Sequence, residues 1–349
     1  MSKSVITDSL LTDIANSIRA KTGSQASMTP AEMADAIDNM SGGGPDHCIE
    51  VTLESEGLPS ETIKTANFHG MVAVPGNFFY NNADLTDVTF NGDLKKIGDK
   101  AFYGCQKLAM SELPSSVTSI GLDAFYNCFN VTFSRLPHIT TIPQNCFYSC
   151  KKVTFSSIPA GVTKIDYNAF YGCEKVTFSE LPSTITSIGN YAFQGCSSIT
   201  SMSCNGAITT LGNNLFSHKN WNNVQFVKFP NMKLNALGQS FGMSGSGTYS
   251  CVKMTMADIG ETKAINQYAF AFCNSLQQLV LRRSDAICSL SNVNAFNNTP
   301  FAGYNDLSGT VYVPQALIST YEAATNWSTL VAGGHLTFAA IEGSEFELD

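Results

Sequence analysis

A motif that returns at a nearly fixed interval constrains this chain more than any other feature: a small residue and Phe, then Cys three positions after the Phe. It reads Ala101-Phe102-Tyr103-Gly104-Cys105, Ala124-Phe125-Tyr126-Asn127-Cys128 and Cys146-Phe147-Tyr148-Ser149-Cys150, then Ala169-Phe170-Tyr171-Gly172-Cys173 and Ala192-Phe193-Gln194-Gly195-Cys196. Weaker copies centre on Phe79, Phe216, Phe241, Phe270 and Phe296. From Phe79 to Phe216 the Phe residues are 23, 23, 22, 23, 23 and 23 positions apart, and the later steps lengthen to 25, 29 and 26. A period of this size means a stacked array. One such unit has too little apolar area to fold alone, but neighbours stacked in register bury a continuous ladder.

Other positions keep the same beat. Five before seven of these Phe residues stands Ile97, Ile120, Ile142, Ile165, Ile188, Leu211 or Ile265, and eight before six of them Leu94, Val117, Ile139, Val162, Ile185 or Ile208. Three after the Cys stands Leu108, Val131, Val153, Val176, Ile199 or Leu276. Each Phe is expected to lie on the Phe of the next coil, with Ala and Cys as the small buried types beside it. The segments before the Phe and after the Cys alternate like short strands. Parallel coils ~4.8 Å apart would let nine or ten of them span on the order of 45 Å.

The unit resembles the BspA-like class of leucine-rich repeats, C-x-x-L-x-x-V-x-L-P…V-T-x-I-x-x-x-A-F-x-x-C, over about residues 70–310. The resemblance implies a right-handed solenoid, mainly β, with a parallel sheet along one side. It also implies a surface adhesin or recognition role, and it brings no catalytic residue.

Residues 7–40 read as two short helices. The first carries Leu10, Leu11, Ile14, Ala15 and Ile18 on one face. The second opens with Thr29-Pro30-Ala31-Glu32, a capping box with Pro at the first helical position. Gly42-Gly43-Gly44-Pro45 follows as a flexible linker. The hairpin resembles a small module of tail and other structural proteins of phages that infect Firmicutes, which implies a virion setting. It would then dock on virion or tail proteins, or on copies of itself; the alternative is a helical cap for the array. At the other end, Gly309 to Pro314 reads as a last strand and 314–330 as a helix with Leu317, Tyr321, Ala324 and Trp327, similar to the ending of many BspA-like chains. The expected division is therefore a hairpin over 1–41, a linker over 42–47, the solenoid over 48–310 and a C-terminal cap over 311–349.

Composition removes several functions. The net charge is −8, only 14% of residues are charged, and there is no basic block of the kind that phosphate backbones require. The longest apolar run near the start, MSKSVITDSLLTDIANSIRAK, is two residues, so no cleaved secretory signal is expected, and no apolar stretch is long enough for a membrane span. Synthesis in a cytoplasm fits a host-recognition protein of a phage tail, which lysis would release; the alternatives are a bacterial or protist surface adhesin with no phage link and a structural spacer. The five histidines share no metal or catalytic spacing, and no phosphate-loop, dinucleotide or nucleophile-elbow motif occurs. No enzyme, cofactor or metal is expected. The eleven cysteines follow the repeat, which points to buried free thiols.

One deviation suggests a contact site. The unit places an apolar residue six after the Cys position, as Val88 and Leu279 do, but the central repeats have Ser111, Ser134, Ser156 and Ser179 there. The apolar residue has moved one position earlier, to Met110, Phe133, Phe155 and Phe178. A one-residue shift on a strand changes the face a side chain occupies. In-register coils would thus expose these four as a ladder flanked by Glu112, Arg135, Ser157 and Glu180, a track suited to a host cell-surface glycan or protein. The alternative is a local bend that buries them and leaves Thr132, Thr154, Thr177 and the serines outside.

Overall fold

The computed structural model describes residues 4–6, 49–52, 65–69, 72–91, 93–216, 223–242 and 250–348. The expected hairpin over 7–40 and the linker after it lie outside these residues. The chain forms two compact units, one of 1–155 with 169–175 and one of 156–168 with 176–349. Each is a β-solenoid.

In the first unit the rings of Phe79, Phe102, Phe125, Phe147 and Phe170 stack with centroids 5.4, 5.2, 5.8 and 5.8 Å apart. All five are fully buried. The strands before them are short and parallel: Ala73–Val74 pairs with Lys96–Ile97, which pairs with Ser119–Ile120. Thr65–His69 pairs parallel with Asp87–Asn91 and antiparallel with Ile49–Thr52, which in turn takes Ser4–Ile6 antiparallel.

The repeat residues explain how each coil turns. The residue two after the Phe sits in the left-handed region, at Asn81, Gly104, Asn127, Ser149 and Gly172, where Gly and Asn are tolerated best. Gly121 marks a different need, since a Cβ there would run into the backbone nitrogen of Asp99 on the preceding coil. The thiols join coils directly: Sγ of Cys105, Cys128, Cys150 and Cys173 donates to the carbonyl of Phe79, Phe102, Phe125 and Phe147, at 3.1, 2.9, 3.1 and 3.1 Å. The ten described cysteines are buried and unbridged.

The corner after each repeat proline sets coil length. In the first unit Val117 N donates to Pro114 O across three residues, whereas Ile139 N donates to Pro137 O across two. The tighter turn accounts for the single 22-residue step, and the Phe stack passes over it unbroken. In the second unit the wider form returns, with Val162 N on Pro159 O and Ile185 N on Pro182 O.

The second unit repeats the plan. Phe193, Phe216, Phe241, Phe270 and Phe296 stack at 5.7, 6.5, 5.5 and 5.5 Å. A seven-stranded parallel sheet runs in the order Glu180–Leu181, Ser201–Cys204, Phe226–Lys228, Met256–Asp258, Gln278–Val280, Gly309–Val313 and Leu336–Ala340. Asp258, 1% exposed, is held by Arg282, whose Nε and Nη2 donate to its Oδ2 at 2.9 and 2.7 Å. Arg282 Nη1 also reaches Phe346 O at 2.8 Å and ties the C-terminal segment to the sheet.

A strand stands at Gly309–Val313, where the sequence reading put one, but it is not the last: Leu336–Ala340 pairs parallel with it and ends the sheet. The helix expected over 314–330 is broken. A 3-10 turn at Gln315–Leu317 leads into Ile318–Ala323, and a second helix covers Trp327–Ala332. Extended backbone at Ala324 and a positive φ of 66° at Asn326 separate the two. The break lets Tyr321 and Trp327 both bury and hold the backbone of one residue: Tyr321 OH accepts from Cys288 N at 2.7 Å and Trp327 Nε1 donates to Cys288 O at 2.8 Å.

Candidate functional site

The expected apolar track does not exist. Met110, Phe133 and Phe155 in the first unit and Phe178 in the second are 4%, 0%, 0% and 0% exposed. Phe133 packs edge-on to Phe125 and Phe147 at 5.1 and 6.4 Å, and Phe155 edge-on to Phe147 and Phe170 at 5.2 and 6.0 Å. In the second unit Phe178 packs the same way on Phe193 at 5.6 Å. The physical reason is that the local kink has moved with the apolar residue. In the first coil Leu85 and Val88 point inward and two successive residues, Thr86 and Asp87, point out. In the central coils Val131 and Phe133 point inward with one exposed residue between them, and the outward pair falls later, at Ser134 and Arg135. Such a bulge absorbs the shift that would otherwise turn the side chain over. Glu112 and Arg135, like Glu180 in the second unit, are exposed, but they flank a polar row and not a ladder of rings.

That polar row recurs at the same place in successive coils. In the first unit it comprises Thr86, Ala109, Thr132 and Thr154, all exposed. Its register is fixed by backbone bonds: Ala109 N to Thr86 O at 2.9 Å, Thr132 N to Met110 O at 3.0 Å and Thr154 N to Phe133 O at 2.9 Å. In the second unit the matching row is Thr200, Gln225, Thr255, Gln277 and Thr310, each N donating to the preceding O at 2.7, 2.7, 2.9 and 2.7 Å. There it opens into a groove of about 470 Å³ lined by Thr255, Gln277, Gln278, Thr310, Tyr312 and Thr337. Thr310 and Thr337 hydroxyls lie 3.3 Å apart, and Gln278 Nε2 donates to Glu345 Oε1 at 3.2 Å. The groove offers hydroxyls, amides and one ring edge, a lining fit for hydrogen-bonding a polar, hydroxyl-rich ligand.

The described residues provide little for other chemistry. No group of three or more His, Cys, Asp and Glu could hold a metal ion among them. Burial pushes the thiols up, Cys288 to about 12 and Cys105 and Cys128 well above their ordinary value, so these groups stay protonated and are poor nucleophiles. No described helix is long and apolar enough to cross a membrane.

Two features escaped the sequence reading. The groove is one, because its residues come from longer coils where the motif is weakest. The other is a ladder of half-buried tyrosines in the first unit, one after each Phe, whose signal was the repeated Phe-Tyr pair.

A family profile for a BspA type leucine rich repeat region matches in six copies, over residues 72–173, 140–246 and 238–316. Among solved structures, the chain is similar to a leucine rich cell surface protein from Faecalibacterium prausnitzii A2-165, at 17% identity and a TM-score of 0.35, covering 83% of this chain and 97% of that one. A leucine-rich repeat protein from Bacteroides ovatus ATCC 8483 is 15% identical with a TM-score of 0.38, covering 87% and 100%. The pneumococcal vaccine antigen PcpA is 12% identical with a TM-score of 0.43, covering 83% and 82%. A search of curated proteins found no match.

Proposed function

The chain belongs to the BspA-type leucine-rich repeat family, and on that premise we propose that it is a non-enzymatic recognition or adhesion protein whose sheet face takes an extended glycan of a host cell surface. The observation that carries this reading is the second unit's row of outward hydroxyls and amides, Thr200, Gln225, Thr255, Gln277 and Thr310, joined in register by backbone bonds and opening into the groove lined by Thr255 and Thr337. A polymer that repeats along its length meets a hydroxyl or an amide at each coil of that row. Sugars need such a surface more than a closed apolar pocket, which drug-like ligands prefer. A peptide partner would look for an unpaired strand edge or a run of apolar anchors, and Phe133, Phe155 and Phe178, which would have formed such a run, are buried.

The setting we propose is a phage or prophage tail, with residues 7–40 attaching the chain to virion proteins or to other copies of itself. The support is the resemblance of that segment to modules of phage structural proteins. In the same reading the C-terminal helices shield the last coil, as repeat arrays require.

Binding of the full chain to a panel of bacterial cell-wall polysaccharides tests the recognition reading. Gln277→Ala combined with Thr310→Ala should weaken the bound glycan at least about tenfold, the effect of losing ~1.4 kcal/mol, and leave the melting temperature unchanged. Equal binding by the double variant, or none by the parent, refutes the sheet-face reading. Mass spectrometry of purified tail particles addresses the setting separately, and absence of the chain from them removes the phage role while leaving recognition standing.

A further inference from the structure

The tyrosines that follow the core Phe residues in the first unit form a second stack. Tyr80, Tyr103, Tyr126, Tyr148 and Tyr171 lie face to face with centroids 4.8, 4.6, 4.5 and 4.4 Å apart and interplanar angles of 17°, 2°, 12° and 5°. These spacings are shorter than those of the phenylalanine stack beside them. The backbone holds each rung: the carbonyls of Tyr103, Tyr126, Tyr148 and Tyr171 accept from the amides of Asn81, Gly104, Asn127 and Ser149 on the preceding coil, at 2.6, 2.7, 2.8 and 2.6 Å. All five rings are half-buried, so one edge of the ladder meets solvent. The faces are occupied by neighbouring rings, which leaves the row poorly suited to stacking on a ligand. What it offers is phenols preplaced against one another.

We propose that this ladder is a site of oxidative modification, where a peroxidase-class one-electron oxidant supplied with hydrogen peroxide couples neighbouring rungs into dityrosine and sews adjacent coils together. Each of two phenols gives one electron to the oxidant and its O–H proton to water, leaving two ring radicals. One carbon–carbon bond forms between their ortho carbons. The hydrogens on those carbons then shift to the oxygens as protons, and both rings regain their phenol form. Each link removes two hydrogen atoms from the protein, and the two electrons and two protons reduce one hydrogen peroxide to two waters.

The geometry favours this outcome. Coupling between free tyrosines is limited by bringing two radicals together, whereas here the partner stands in contact, a large effective concentration. Stacked rings also let an unpaired electron pass from rung to rung until two meet. Burial, then the charge of neighbouring tyrosines, raises the Tyr103 phenol above its ordinary value; burial also raises Tyr126 and Tyr148. These rungs therefore hold their protons at neutral pH and release them only on oxidation. The second unit supplies an internal comparison: Tyr167 and Tyr191 are 5.6 Å apart but meet edge-on, at 87°.

The test is treatment of the dilute full chain with a haem peroxidase and hydrogen peroxide. Readouts are dityrosine fluorescence, a denaturing gel and mass spectrometry of the linked peptides. The expected result is a protein that runs at single-chain mass on the denaturing gel, with links among the five ladder tyrosines and a loss of two hydrogens for each. Tyr126→Phe combined with Tyr148→Phe keeps the rings stacked but removes the central phenols, so coupling should fall to what Tyr80 and Tyr103 alone provide. An unchanged melting temperature for this variant shows that the fold persists; should it unfold, the single variants Tyr126→Phe and Tyr148→Phe are read in its place. Links that are mainly intermolecular, that fall on Tyr167 and Tyr191 as often as on the ladder, or whose yield does not fall when the central phenols are removed overturn the proposal.

Discussion

Phe155→Ala separates a packed ring from a displayed one. The side chain is fully buried and lies edge-on between Phe147 and Phe170, at 5.2 and 6.0 Å. Truncating a buried Phe removes its transfer free energy and leaves a cavity, at about 3–5 kcal/mol. The two edge-to-face contacts add ~0.5–1.5 kcal/mol each beyond area, although such terms are not additive, so the upper half of that range is expected. Urea unfolding of the full chain, followed by near-ultraviolet circular dichroism, measures the loss. Two controls bracket it. Thr154→Ala, on the exposed row one residue away, should stay within about 0.5 kcal/mol, and Phe226→Ala, at a ring 37% exposed, should cost far less than Phe155→Ala. A cost for Phe155→Ala under about 1 kcal/mol would mean that the ring is not core, and the account of the moved kink would fail with it.

Other consequences can be measured on the same protein. Arg282→Ala should cost about 3–5 kcal/mol in urea unfolding, because it leaves the Asp258 carboxylate buried without its partner, and Asp258→Ala added to it should recover part of the loss. Cys128→Ala should cost about 1–2 kcal/mol through lost packing and the lost bond to Phe102 O, and Cys128→Ser, which keeps a donor there, should cost less. Tyr103, Tyr126 and Tyr148 ionise later in the folded chain than their ordinary value of 10.0. An unfolded chain therefore loses these protons first, so their contribution to stability is whole below pH ~10 and declines as pH rises through the folded values. Melting temperature against pH, compared with Tyr148→Phe, checks the sign, and a decline that starts well below pH 9 would contradict it.

The period carried most of the fold. Phe79 to Phe296, the inward Ile and Val positions and the cysteines could be placed because a stacked coil permits few arrangements of a repeated small-Phe-Cys motif. What the sequence did not reveal is where each strand kinks. Counting from the Cys position put Phe133 and Phe155 outside, whereas counting from the nearer Val131 and Val153 puts each two residues on, hence on the same face. Local alternation decides facing, and a bulge breaks any longer count. The groove was less accessible still, since Gln277, Thr310 and Thr337 belong to coils whose motif has drifted. The tyrosines were in plain view beside each Phe, but their contact depends on the ring planes that stacking imposes. Helix signals over 314–330 missed the break because burying both Tyr321 and Trp327 against Cys288 outweighed the continuity of one helix.

The corner after the repeat proline has a practical consequence. Between Pro137 and Ile139 it gives up a residue by tightening from a three-residue closure to a two-residue one, and the rings on either side, Phe125 and Phe147, remain stacked at 5.8 Å. Here the chain can be edited without re-engineering its interior. A foreign loop grafted between Pro114 and Val117, where Ser115 is exposed, would leave the surrounding coils in place, as insertions at exposed tips do. Grafts at successive corners of one unit would then sit one coil apart, turning the array into a ruler on which epitopes or ligands are mounted at fixed intervals.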